Sequence, residues 1–367
     1  MGVDSADRRE RVRSDIVGLC YRGTDSITLR REALASLRKV VSVDGAFFAT
    51  VDPSTLLYAS AFREGMPADV TPRFLHNEFA EEDVNKIRYL ATAAQPVNWL
   101  DQATAGDREL SPRYRDVMRP NGFGDELRAA IRADGWCWGF MCLHRQDGSG
   151  GFGIDDASFL SELVPHLAAG LRRCAVAESV SVSTEFDGPG VFTVAPDWSI
   201  GSATPAAQRW LAELAEEEAP QLRDLPISVY AVVEKLRGLR ADDLANGFVP
   251  SVRVRARSGR WLTLHGSYLS GNRIEAAIVI EPSDRHDLAP LIIAAYGLTV
   301  RESQVAQHLL LGASTKEIAA VLSISAHTVN DHVKAIFDKT GSRSRGDLLG
   351  RIFAAHYLPS LKANETK

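Results

Sequence analysis

Residues 298–345 read LTVRESQVAQHLLLGASTKEIAAVLSISAHTVNDHVKAIFDKTGSRSR, and this stretch decides the fold of the C-terminal part. Thr299, followed three residues later by Glu302, is a capping box at the start of a helix. Val305, Leu309 and Leu310 then share a face, and Gly312 ends the helix. Ser314 with Glu317 is a second capping box, opening a helix with Ile318, Ala319 and Leu322 inward. Ser323-Ile324-Ser325 makes a tight joint, and Ser325 caps a third helix. Val329, Val333, Ile336 and Phe337 form its buried stripe, while His327, Asn330, Asp331, Lys334 and Asp338 fall on the other faces. Lys339 and Gly341 close it with a cation near its C-terminus and a glycine after it. A fourth helix is expected from Arg345, using Leu348, Leu349, Ile352, Phe353 and Tyr357.

Two short helices joined by a three-residue turn are what a helix-turn-helix requires. The first braces the second, which presents donors and acceptors to base edges in a major groove. His327, Thr328, Asn330, Asp331 and Lys334 are the candidates for that face. Asn330 suits adenine, Asp331 can accept from cytosine N4, and Lys334 can reach guanine or a phosphate. Ser314, Thr315 and Lys316, at a helix N-terminus, are candidate phosphate contacts, with Lys339, Arg343 and Arg345 as further backbone contacts. Periodicity alone also fits a small helical bundle whose charged face is merely solvated.

Residues 296–353 resemble the LuxR-type helix-turn-helix DNA-binding domain. Leu298, Thr299, Arg301 and Glu302 match the family's opening, and Gly312, Lys316, Glu317, Ile318, Ala319 and Leu322 its scaffold helix. Ser325, Thr328, Val329, His332 and Val333 match the recognition helix, and Lys339, Gly341, Ser344 and Arg345 the close. The resemblance implies a four-helix module, dimeric on DNA, with Asn330, Asp331 and Lys334 at positions that commonly touch DNA. The family often has Lys where this chain has Asn330, and Asp331 adds a negative charge beside it. That lowers phosphate attraction and shifts weight to base reading. His332 is read as a packing residue.

Working outward, residues 1–24 read as a polar lead-in. A helix is expected over 27–41, then strands AFFATVD and LLYASAF around a DPST turn. Interrupted helical periodicity over 72–94 and a loop over 101–112 follow. ELRAAIRADG and WCWGFMCLHR read as paired strands, and residues 154–178 as a long helix. This order fits an α+β domain with a central antiparallel sheet. Past a joint at 176–189, GVFTVAPDWSIGSAT gives two strands, Pro205 starts a helix, and a mostly helical, charged middle leads to VRVRARS, RWLTLHGSYLS and IEAAIVIEP. Turns are expected at Ser258-Gly259 and Gly271-Asn272, and the alternation in VRVRARS puts arginines on one face and valines on the other. SDRHDLAP reads as a second linker. No internal repeat is clear. The first region resembles a GAF-type sensory domain over 18–175, the second a PAS-type domain over 188–283, and the helix-turn-helix domain is placed at 294–357. The expected fold class is thus two α+β sensory domains followed by an all-α four-helix domain.

The chain has 367 residues, 45% hydrophobic and 24% charged, an ordinary globular composition long enough for two or three domains. Its net charge of -5 divides into +3 over residues 297–367 and -8 over the rest, so the tail is the basic part. No run of 18 apolar residues suggests a membrane span, the charged start lacks a signal-peptide core, and Ala6 breaks a myristoylation pattern. Cys20, Cys137, Cys142 and Cys174 form no CxxC pair, so a cytoplasmic protein without disulfides or structural zinc is expected. No phosphate-loop, G-x-S-x-G or HExxH motif occurs, and no acidic cluster marks a phosphoacceptor domain.

On a continuous strand Cys137 faces away from Cys142 and His144, which spoils a metal site. Trp136, Trp138 and Phe140 then share one face, as core or as the lining of a ligand cavity. His76, His144 and His166 form no cluster, and His265 reads as structural. The leading reading is a sequence-specific, dimeric transcriptional regulator controlled by a signal in the front domains. Its partners are double-stranded DNA, a second copy of the chain and an unidentified small-molecule effector, with no cofactor and no membrane. Competing readings are a signalling or scaffold protein whose tail binds another protein, and an enzyme with a DNA-binding tail.

Overall fold

The computed structural model describes residues 2–67, 69–177, 188–214, 225–269, 272–283 and 285–350. The chain opens with α1 (Gly2–Cys20) and α2 (Ser26–Leu37), then β1 (Gly45–Val51) and β2 (Tyr58–Glu64). Next come α3 (Thr71–Ala80), α4 (Ile87–Leu90), β3 (Val97–Trp99), α5 (Leu100–Ala103), β4 (Phe123–Ala133), β5 (Trp136–Gln146) and α6 (Ile154–Ala177). The five strands form one antiparallel sheet in the order β2-β1-β5-β4-β3. Strand alternation divides its core in two. Phe48, Leu127, Ala129 and Met141 pack with the apolar faces of α1, α2 and α6, while Phe47, Ala49, Phe140 and Cys142 pack with Phe74, Leu75, Ile87 and Leu90 of α3 and α4.

Several expectations are corrected here. The polar lead-in is the helix α1, which buries Val12, Ile16 and Leu19. These lie three and four residues apart among charges, so a single apolar stripe is easily overlooked. The loop expected at 101–112 contains the end of α5 and a short 3-10 turn at Arg108–Leu110. The pairing of strand β5 is not regular: Ile131 pairs with Gly139 but Arg132 with Cys137, a bulge that leaves Trp138 as the extra residue. The bulge reverses the alternation. Cys137 therefore shares a core with Cys142 and Phe140, while Trp138 and the half-buried Trp136 belong to the opposite core.

Beneath α3 lies a network of buried charges. Arg113 binds Glu126 at 2.8 Å and Asp83 at 3.4 Å, and Arg128 binds Glu78 at 2.8 Å and Glu126 at 3.1 Å. Burial alone would raise the Glu126 carboxyl, but Arg113 and Arg128 outweigh it and hold it down at about 2. Arg128 also lies over the Phe74 and Phe140 rings.

The second unit comprises β6 (Gly190–Val194), β7 (Ile200–Ala203), α7 (Pro205–Leu214), α8 (Ile227–Arg237), α9 (Ala241–Ala245), β8 (Ser251–Arg255), β9 (Trp261–Leu269) and β10 (Asn272–Pro282). Its sheet order, β7-β6-β10-β9-β8, repeats that of the first sheet strand for strand. The expected middle is helical in the described residues, but its charged character is corrected by α8, in which every residue from Ile227 to Glu234 is buried. One side of α8 covers the second sheet and the other packs on α3 and β2, so the two units share a core. Gly238 makes that approach possible, since a Cβ there would lie 2.5 Å from the Phe79 carbonyl oxygen. His76 on α3 meets Glu234 on α8 at 2.7 Å.

The alternation in VRVRARS holds, with valines on one face and Arg253 on the other, but the second face is covered as well. Val252 and Val254 are buried, but Arg253 is buried too, against the first unit. Asp52 accepts hydrogen bonds from its backbone nitrogen (3.0 Å), Nε (2.8 Å) and Nη2 (2.5 Å). His265 pairs with Glu281 at 3.4 Å. The turn expected at Gly271-Asn272 falls partly on 270–271, and the first joint on 178–187, both outside the described residues.

The expected second linker is corrected as well: α10 (Arg285–Ala295) is a helix, with Pro290 inside it. It leads into α11 (Val300–Leu310), α12 (Thr315–Leu322) and α13 (Ala326–Thr340). Residues 345–350 are helical, while Ile352, Phe353 and Tyr357 of the expected fourth helix lie outside the described residues.

Candidate nucleic-acid interface

Both capping boxes form as the sequence predicts. The Thr299 hydroxyl accepts from the Glu302 amide and Glu302 accepts from the Thr299 amide, and Ser314 and Glu317 do the same. Ser325 accepts from the Thr328 amide at 3.0 Å. The joint between α12 and α13 turns on Ser323, at φ 53° and ψ 47°. This left-handed residue ends α12 and lets Ile324 fold back onto the core. Gly341, at φ 65°, ends α13 in the same way.

Ile318, Val329 and Ile336 are fully buried, and Leu322, Val333 and Phe337 pack around them. This fixes the rotation of α13 about its axis. Asn330, Asp331 and Lys334 are exposed, His327 is exposed beside them, and Thr328 and His332 are half-buried. His327 Nδ1 lies 3.6 Å from an Asp331 carboxylate oxygen one turn on, both open to solvent.

The phosphate candidates divide into free and engaged groups. Lys316 and Arg343 are exposed. Ser314 is exposed, though its hydroxyl is used as a cap. Lys339 donates to Glu302 at 2.7 Å, tying the end of α13 to the start of α11. Burial raises the Glu302 carboxyl, but Lys339 and the Thr299 amide more than offset this and lower it. Arg345 donates to the Ala313 carbonyl at 3.1 Å and the Thr315 hydroxyl at 3.3 Å, so it braces the loop entering α12. Arg301, whose part sequence reasoning missed, donates to the Leu322 carbonyl and holds the C-terminus of α12. An arginine at a helix start gives no signal that it will reach a second helix 21 residues on.

The ligand candidates Trp136, Trp138 and Phe140 do not line one face, for the reason given by the bulge. Trp136 instead reaches the helix-turn-helix part: its indole nitrogen donates to the Leu298 carbonyl at 2.9 Å. It follows a two-residue hairpin turn, Asp134 at φ 55° and Gly135 at φ 83°. Asp134 pairs with Arg172 at 2.9 Å, and a Cβ on Gly297 would sit 2.8 Å from an Arg172 nitrogen. The hairpin and α6 thus hold the segment that precedes α11. Among the described residues no group of three or more His, Cys, Asp or Glu could hold a metal, and no helix is long and apolar enough to cross a membrane.

Residues 297–350 match the model of the family described as bacterial regulatory proteins, luxR family, and residues 25–171 match that of the GAF domain. No curated protein matches the chain at a significant level. Among solved structures the chain is similar to Vibrio cholerae VqmA, in a dimer without target DNA, at 18% identity over 47% of this chain and 84% of that one, with a TM-score of 0.19. It is also similar to Escherichia coli SdiA, at 12% identity over 94% of this chain and 97% of that one, with a TM-score of 0.32. At such scores neither likeness bears on how the units are arranged. Two α+β sheet units thus precede an all-α region, and the chain carries a GAF domain and, at its C-terminal end, a luxR-type helix-turn-helix domain.

Proposed function

We propose that this protein is a sequence-specific DNA-binding transcriptional regulator that acts as a homodimer and responds to a signal received by its two front units. The observation that carries the reading is the α12–Ser323–α13 geometry, which turns an exposed, polar α13 face outward on a braced scaffold. His327, Asn330, Asp331 and Lys334 read base edges, with Thr328 at the margin. Ser314, Thr315, Lys316 and Arg343 meet the backbone. Lys339 and Arg345 serve this interface by holding α11 and the α12 loop in place, since their charged heads are engaged within the domain. The unit over 188–283 is read as PAS-like, on its repeated strand order and the helices packed on one face of its sheet. Pairing two modules doubles the contacts available to a domain of modest charge, so a dimer is the working form. No catalytic step is assigned.

The test is electrophoretic retention of the protein's own upstream DNA against a scrambled duplex at two salt concentrations. The expected result is selective, salt-sensitive retention that is lost when residues 297–367 are removed. Asn330→Ala together with Lys334→Ala is expected to lower specific affinity by about 1–3 kcal/mol for each base edge no longer read. Unchanged affinity in that double variant, with native circular dichroism, would overturn the assignment of the reading face.

A further inference from the structure

A cavity of about 540 Å³ lies where the first unit, the second unit and α10 meet. Its walls come from three sources: Trp138 and Leu171 of the first unit, Trp261 and Arg257 of the second, and Leu291 of α10. Trp138, Leu171 and Leu291 are buried and Trp261 is half-buried, so most of the wall is apolar. The size suits a small organic molecule.

The polar groups select among such molecules. Three carboxylates border the cavity, and each is satisfied from within the chain. Asp25 caps α2, accepting from the Ile27 and Thr28 amides and the Thr28 hydroxyl. Asp52 is held by Arg253, and Glu213 accepts from the Ser258 amide. Arg255 donates to the Gly259 carbonyl. Arg257 is exposed, and its guanidinium donates to a neutral acceptor, the Ala212 carbonyl at 2.8 Å. Ser228, 1% exposed, lines the cavity with a hydroxyl that meets no hydrogen-bond partner among the described residues. A buried hydroxyl left in this way costs stability unless something supplies its partner.

We propose that this cavity is an effector site for a small amphipathic anion. Its apolar body lies between the Trp138 and Trp261 indoles against Leu171 and Leu291, and its head takes hydrogen bonds from Ser228 and Arg257. The site also touches both ends of the link to the helix-turn-helix domain. Trp138 stands two residues from Trp136, which holds the Leu298 carbonyl, and Leu291 lies on the helix that leads to it. An occupant therefore bears on the α10–α11 segment directly. This last step rests on the regulatory reading, whereas the site itself does not.

The full-length protein is titrated with two dyes, the anionic anilinonaphthalene sulfonate and the neutral phenylnaphthylamine, following energy transfer from tryptophan. One saturable site per chain is expected. Ala175→Phe, which fills the cavity from α6, is expected to weaken both dyes by about tenfold. Arg257→Gln is expected to weaken only the anionic dye, by several-fold. Equal binding of both dyes by the parent and Ala175→Phe, with native circular dichroism in each, would overturn the site. Arg257→Gln without effect on the anionic dye would overturn the anion preference. Saturating dye is expected to change operator retention several-fold in the parent and not in Ala175→Phe. Retention indifferent to bound dye would overturn the coupling. Absence of any selective retention would instead refute the regulatory reading, while the dye data stand as the measure of the site.

Discussion

Replacing Asp52 by Ala tests how the first two units are joined. Asp52 is 2% and Arg253 7% exposed, and three hydrogen bonds from Arg253 converge on the Asp52 carboxylate. Removing the carboxylate takes the Asp52 charge away from a buried guanidinium, and breaking a buried ion pair on one side costs about 3–5 kcal/mol. The pair spans two units that share a core, so the loss falls on both. At about 2–4 °C per kcal/mol for a cooperative body of this size, Tm is expected to fall on the order of 10 °C. Arg253→Met alone is also destabilising, because Asp52 then loses both guanidinium donors and keeps the backbone amides of residue 253 (3.0 Å) and Ser54 (2.9 Å). The double variant Asp52→Ala, Arg253→Met is expected to recover most of the loss, since neither charge remains to be desolvated. The assay is calorimetry on the parent, both single variants and the double variant. A single variant within about 1 kcal/mol of the parent, or a double variant as unstable as the two losses added, would refute the account of the joint.

Trp136→Phe removes the hydrogen bond to the Leu298 carbonyl and is expected to loosen the α11 entry by about 1 kcal/mol, read as faster amide exchange at the start of that helix. Ser323→Gly is expected to stabilise the helix-turn-helix domain by roughly 0.5–1 kcal/mol and Ser323→Val to destabilise it, both measured by thermal melting, because the position is left-handed. Burial lowers the pKa of His144 from 6.5 to about 4. The unfolded chain therefore binds a proton that the folded chain refuses, and stability falls as pH drops between these two values. His144→Gln is expected to flatten denaturant-derived stability over that window by one proton, and an unchanged slope would refute it.

Local signals were legible in the sequence where they coincide with local structure. The capping boxes at Thr299 and Ser314, the Ser323 joint and the α13 stripe are each set by residues within a turn of one another, and each appears as expected. What was not legible depends on distant partners. The VRVRARS alternation is ordinary, and only the fold brings Asp52 to Arg253, 201 residues away. The Trp138 bulge was hidden because a period-two reading assumes unbroken pairing, and the insertion shows only against β4. SDRHDLAP read as a linker because its polar residues and Pro290 are turn formers, yet Leu291 and Ile293 after them are buried and draw the segment into a helix. The common strand order of the two sheets left no repeat in the sequence because packing faces, not particular residues, are what they share.

The central claim is that the α13 face reads DNA. The most direct measurement is a footprint on a duplex selected from a random pool by the full-length protein, compared between the parent and Asn330→Ala with Lys334→Ala. The account predicts two protected half-sites about one helical turn apart, with retention lost in the variant and weakened by salt. A parent that selects no sequence, or a variant that keeps the same footprint at the same affinity, would contradict it.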